Sequence, residues 1–137
     1  MSEEQDKAVI RREPFARLDS KEIFALAERK MEDGRRFLDP YLTMEVLAAE
    51  MNVHRNALSG AVNQYAGVSF PDWLSGYRVA EVERLAGLAE NSGASWKQLA
   101  RTAGFSNRTS FYRAFRKLRG GAPGEALRKH RNQNETK

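Results

Sequence analysis

The 137-residue sequence contains no cysteine, only two histidines and only four prolines. The missing thiols exclude disulfides, cysteine nucleophiles and thiolate metal sites, and they fit a reducing compartment. His54 and His130 lie far apart in sequence, so no metal-ligating cluster forms around them. No apolar run approaches the ~18 residues that a membrane span requires. The N-terminus is too charged for a signal peptide, and the chain reads as soluble and intracellular. No nucleophile–base pattern, carboxylate pair or glycine-rich phosphate loop is present, which argues against catalysis and against a cofactor. Acidic residues are scarce in one region only. Residues 92–137 hold 11 basic and 2 acidic residues, a balance of +9, whereas residues 1–91 hold 12 basic and 16 acidic, a balance of −4. Such a basic end on a mildly acidic body is an electrostatic footprint for a polyanion. Nucleic acid suits it better than a membrane surface, because its aromatics sit at core-like spacing rather than on a wide apolar face.

The hydrophobic content of 41% suffices for a core, and its periodicity is helical throughout. Residues 1–18 form a lead-in without periodicity, interrupted by Pro14. Asp19 with Glu22 makes a capping box, opening a helix to about Arg36 with Ile23, Leu26, Ala27 and Met31 inward. Asp39-Pro40 ends it. Thr43 is the next N-cap, followed by Met44, Leu47, Ala48 and Met51, with Asn52 as the stop. A second short helix runs from about Arg55 to Ala66, with Leu58, Ala61, Val62 and Tyr65 inward, and Gly67 closes it. With Ala48 and Ala49 near the crossing, the pair reads as a helix-turn-helix. Ser69-Phe-Pro71 starts a longer helix that carries Trp73, Leu74, Tyr77, Val82, Leu85 and Leu88 to about Ala89, a rod of roughly 28 Å. A break at Asn91-Ser-Gly-Ala follows.

Ser95 then caps a further short pair. Trp96, Leu99, Ala100 and Ala103 line the first helix, Gly104-Phe105 makes the turn, and Ser106 is placed to N-cap the second helix. There Phe111 and Phe115 share one face, leaving Arg108, Thr109, Tyr112, Arg113 and Arg116 outward. Between Trp96 and Gly121 stand seven Lys or Arg and no acidic residue. This pair repeats the earlier one. Thr43, Leu47, Ala48 and Val53 match Ser95, Leu99, Ala100 and Phe105 at an offset of 52. Leu58, Val62 and Gly67 match Phe111, Phe115 and Gly120 at 53, implying one inserted residue. A last short helix from about Ala122 to His130 and a fraying tail complete the reading.

The predicted architecture is therefore all-α: two helix-turn-helix subdomains joined by a long connecting helix, with an extra N-terminal helix. The boundaries are 1–18 for the lead-in, 19–38 for the N-terminal helix, 39–68 for the first helix-turn-helix and 69–91 for the connector. Residues 92–130 form the second helix-turn-helix with its last helix, and 131–137 the tail. Phe24 and Phe37 are placed to pack the N-terminal helix onto the first unit, or to form a partner surface.

From about Leu42 to Pro123 the sequence resembles the DNA-binding domain of the AraC/XylS transcription regulators. The resemblance rests on Gly104-Phe-Ser, on Phe111-x-Arg113-x-Phe115-Arg-Lys117 and on Gly120-x-Ala-Pro123. Leu42-Thr-Met-Glu-Val-Leu-Ala48, Leu58, Gly67-Val-Ser-Phe70 and Tyr77-Arg78 carry it in the first half. Ala126-Leu127 departs from the aromatic–arginine pair common in the family, and Gly60 stands where a long polar side chain is frequent, so the first unit would read fewer bases. The usual N-terminal sensor domain is missing, so the sequence reads as an excised C-terminal piece or as one of the family's small stand-alone members. Residues 31–40 look similar to members with a membrane-embedded sensor. DNA-repair methyl-transfer proteins with related regions depend on cysteine, which is absent.

The resemblance implies a sequence-specific double-stranded DNA-binding domain of a bacterial transcription regulator, an activator that contacts RNA polymerase, in the cytoplasm and nucleoid-associated. The second helix of each unit would enter the major groove, the two about one turn (~34 Å) apart. Base-reading candidates are Arg55, Asn56, Ser59 and Asn63 in the first unit and Arg108, Thr109, Tyr112 and Arg113 in the second. His54 reads as a helix-start residue instead. Lys97, Arg101, Arg116, Lys117 and Arg119 are candidates for phosphates, and no membrane contact is expected. Arg113 is equally placed to hold a phosphate or to pair with Glu81 or Glu83. The alternative function is a helical protein-interaction or adaptor module that no longer reads DNA, favoured by Gly60 and the acidic first half.

Overall fold

A computed structural model of the chain describes residues 18–88 and 93–124. The expected lead-in, the ends of the connector at Ala89 and Asn91, the last helix beyond Gly124 and the tail lie outside these residues. Among the described residues there are six α-helices, one 3-10 turn and no strand. They are α1 Ser20–Glu32, the 3-10 turn Arg36–Leu38, α2 Met44–Met51, α3 Arg55–Ala66, α4 Phe70–Ala86, α5 Trp96–Thr102 and α6 Arg108–Arg119. The chain divides into two compact units. One contains the residues up to Gly34 with Leu42–Pro71, and the other Arg35–Tyr41 with the residues from Asp72 onward.

In the first unit Asp19 accepts the Glu22 N–H at 2.8 Å while Glu22 accepts the Asp19 N–H at 3.2 Å, so the capping box forms as the sequence predicts. α1 packs chiefly on α3. It buries Ile23, Ala27 and Met31 with Leu47, Ala48, Met51, Val53, Leu58, Ala61 and Val62. Burying each Leu, Val, Ile or Met side chain of this set contributes roughly 1.5–3 kcal/mol. Two positions differ from expectation. Tyr65 remains 43% exposed, because it lies at the edge of the α3 stripe and stacks on Phe24, ring centroids 5.8 Å apart. Ala49 is exposed, and of the two alanines only Ala48 is buried.

α1 also stops four residues earlier than its pattern suggests. The Asp33 and Gly34 N–H groups both return to the Arg29 carbonyl, and Arg35 adopts a left-handed conformation at φ 51. The chain thereby leaves the first unit and enters the second. There Phe37 is buried and stacks on Tyr77 at 5.7 Å. Asp33 and Gly34 are both poor helix formers, which favours an end at this point.

The core of the second unit comprises Val79, Val82, Leu85 and Ala86 of α4, Leu99 and Ala100 of α5, and Phe111 and Phe115 of α6, joined by Ala103 and Phe105 of the turn. Phe111 meets Phe105 and Phe115 edge-on at 5.4 and 5.9 Å. α4 ends at Ala86, three residues short of the expected point, and the Gly87 N–H turns back to the Glu83 and Arg84 carbonyls.

Candidate nucleic-acid interface

Both helix-turn-helix units are built by the same local devices. The side chains of Thr43 and Ser95 cap α2 and α5, and Ser95 also forms a reciprocal box with Gln98. Asn52 (φ 57) and Gly104 (φ 105) supply the left-handed residue in each turn. The next residue in each turn, Val53 or Phe105, is buried and donates its N–H to Ala48 or Ala100 respectively, at 3.0 and 2.9 Å. Gly67 and Gly120 close α3 and α6 at φ 73 and 78. The inserted residue of the second unit is Ser106. The structure corrects the expectation that Ser106 caps α6: Asn107 is the cap, its side chain accepting the Ser110 N–H at 2.8 Å. His54 is its counterpart, with Nδ1 accepting the Asn56 N–H at 3.1 Å.

Once Phe111 and Phe115 are fully buried, the remaining face of α6 must point outward. Arg108, Thr109, Tyr112, Arg113 and Arg116 together line one open surface depression. A second depression, at the start of α6, is bordered by Lys97, Arg101, Ser106, Asn107 and Arg108. Arg108 thus belongs to both. Its guanidinium lies 5.0 Å over the Tyr112 ring and donates to the Tyr112 hydroxyl at 3.4 Å, which holds the arginine along the helix. Arg113 pairs with neither Glu81 nor Glu83. Glu83 takes Arg119 and Glu81 takes Arg35 and Arg84.

Two expected phosphate contacts stand apart from this group. Arg119 donates twice to Glu83, both at 2.8 Å, and Lys117 lies 2.8 Å from Asp72. The hydrogen bonds to Glu83 raise the Arg119 pKa further. These pairs tie the end of α6 to α4 and leave less charge for an external anion. In the first unit Arg55 lies 3.2 Å from Glu45, both exposed, a pair that solvent weakens. Asn56 is exposed and Ser59 half-buried. Asn63 donates to the Ser59 carbonyl at 3.0 Å. α3 therefore brings the four predicted residues onto one face, but that face carries little net charge.

A supporting cluster in the second unit was not anticipated. Arg78 is buried and donates to the Phe37 and Asp39 carbonyls, each at 2.7 Å, with its guanidinium 5.9 Å over the Phe105 ring. Burial lowers its pKa, and Asp39 partly offsets this. A Cβ at Gly104 would strike the Phe37 carbonyl oxygen and approach Arg78 Nε to 2.9 Å. The turn before α6 is thus braced by Arg35–Tyr41. The sequence signals were Arg78, inside an apolar helix face, and Gly104.

Among the described residues no group of His, Cys, Asp or Glu is arranged to hold a metal ion. No helix there is long and apolar enough to cross a membrane.

Comparison with known proteins completes the picture. A family model described as a helix-turn-helix domain matches residues 47–129. No curated protein matches the sequence. Three solved structures are similar. A Listeria innocua protein of unknown function is 20% identical, with a TM-score of 0.65 over 79% of this chain and 96% of that one. The C-terminal domain of AraT, a response regulator from Geobacillus stearothermophilus, is 24% identical, with a TM-score of 0.58 over 78% and 83%. The C-terminal domain of the two-component response regulator yesN from Fusobacterium nucleatum is 20% identical, with a TM-score of 0.60 over 77% and 97%. At these identities the likeness concerns the fold, while the family match spans more than half of the sequence. The chain belongs to the AraC-type helix-turn-helix family, as a DNA-binding regulatory domain and not an enzyme.

Proposed function

We propose that the chain binds double-stranded DNA sequence-specifically, with α6 and α3 each entering a major groove. The observation that carries this reading is the outward face of α6. Arg108, Thr109, Tyr112, Arg113 and Arg116 border one depression, in a stretch without acidic residues. Arg108 and Arg113 suit guanine edges, Thr109 and Tyr112 suit flanking base edges, and Arg116 with Lys97 and Arg101 suits phosphates. Lys117 and Arg119 would engage phosphates only by exchanging carboxylate partners. In α3, Asn56, Ser59 and Asn63 offer neutral base contacts, with Arg55 beside them.

Transcription activation through RNA polymerase, action at the nucleoid and control by a signal-receiving domain extend this reading by analogy with the family. The two response-regulator domains of similar fold support the last of these.

The test is selection of bound duplexes from a random library of about 30 base pairs. The wild type enriches a defined site. Arg113→Ala loses that enrichment while keeping its helical circular dichroism, since Arg113 forms no ion pair among the described residues. Unfolding of Arg113→Ala would make the residue structural. Absence of any enriched site from folded wild-type protein would favour an adaptor role instead.

A further inference from the structure

The internal repeat allows α3 and α6 to be compared position by position. Arg55, Asn56, Ser59, Gly60, Asn63 and Gln64 correspond to Arg108, Thr109, Tyr112, Arg113, Arg116 and Lys117 at the offset of 53. Four of the six are cationic on α6. On α3 only Arg55 is, and Glu45 stands 3.2 Å from it. The α3 face is also low in relief. Asn56 and Ser59 are short, Asn63 is bonded back to the Ser59 carbonyl at 3.0 Å, and Gly60 among them has no side chain.

Nothing in the fold calls for glycine at position 60. The residue is exposed, lies inside a regular helix without a positive φ, and a Cβ built on it meets no atom within 4 Å. Gly104 is the contrast, since both its φ and its neighbours exclude a side chain. In a helix interior glycine is the poorest residue after proline. What it retains is that another molecule can come close to the backbone.

We infer that Gly60 is a specificity-determining close-approach position, where the α3 backbone lies against base edges on the floor of the major groove. Asn56 and Asn63 flank the contact with their amides. α6 works differently, reaching bases and phosphates with long cationic side chains. The two recognition helices are then complementary readers, and the short α3 face is matched to an intimate contact. This inference rests on the DNA-binding reading given above.

The experiment compares wild type and Gly60→Ala on two probes: the duplex most enriched from the ~30-base-pair library and a scrambled duplex of equal length. Alanine is the better helix former and meets no clash, so Tm rises by roughly 2–6 °C. Affinity for the enriched duplex falls roughly tenfold, because the added methyl holds the helix off the bases, while affinity for the scrambled duplex is unchanged. A variant that binds the enriched duplex as tightly as wild type overturns the inference. Equal weakening on both probes also overturns it, as does a lower Tm, which would reveal a packing role. If folded wild-type protein enriches no duplex, the DNA reading itself fails and the inference with it.

Discussion

Gly104 shows how a single position shapes the interface. Its φ of 105 is hard for any L-residue to adopt, and its missing side chain leaves room for the Phe37 carbonyl and for Arg78. Gly104→Ala is expected to destabilise the protein by roughly 2–4 kcal/mol in urea titrations, combining backbone strain with a steric shift. Gly67→Ala has a similar φ of 73 but open space around it, and should cost only about 1–2 kcal/mol. Equal losses would contradict the bracing of the second turn. Glu81 provides a different residue-level test. It is 7% exposed, and hydrogen bonds from Arg84, then Arg35, hold its carboxyl below its ordinary value of about 4.5 despite burial. A lowered folded-state pKa contributes stability that is present above pH 4.5 and is lost as pH falls through the folded value. Glu81→Gln should therefore be less stable at neutral pH, yet lose less than wild type on acidification below about pH 4.5. Parallel stability curves for the two proteins would argue against a charged Glu81.

The elements were largely legible before the structure because each is marked by local chemistry. Thr43, Ser95, Asn52, Gly67 and the Asp19–Glu22 box act through hydrogen bonds a few residues away, so the sequence displays both partners. Leu58 and Val62, like Phe111 and Phe115, are four residues apart, and with their flanking caps and glycines they read as one face of a helix. What escaped was non-local. The place of Phe37 in the second unit depends on Tyr77, and the exposure of Tyr65 on a ring contact with Phe24. The Glu83 and Asp72 pairs that engage Arg119 and Lys117 join residues distant in sequence. The start of α6 was misplaced by one residue, since Ser106 and Asn107 are both good capping residues and only geometry distinguishes them. Asn107→Ala should accordingly lower stability by about 1 kcal/mol. Ser106→Ala should have little effect, because its hydroxyl makes only a 3.4 Å contact with the Pro40 carbonyl. The reverse order in thermal melts would restore Ser106 as the cap.

For the whole molecule, charge is the dominant feature. Residues 92–137 carry a balance of +9 and residues 1–91 one of −4, so attraction to a polyanion is concentrated in the part that contains α5 and α6. The family match covers residues 47–129 and thus includes both α3 and α6. Apolar anchors within each unit fix which helix face points outward, and among the described residues Arg108, Arg113 and Arg116 of α6 have no carboxylate partner. The measurement that bears most directly on this account is the salt dependence of duplex binding. With about three to five phosphates neutralised, the logarithm of the binding constant should fall against the logarithm of salt concentration with a slope of roughly −3 to −5. Arg116→Ala should make that slope shallower by about one. A flat slope, or no duplex binding at low salt by a folded protein, would contradict the assignment of the α6 face to DNA.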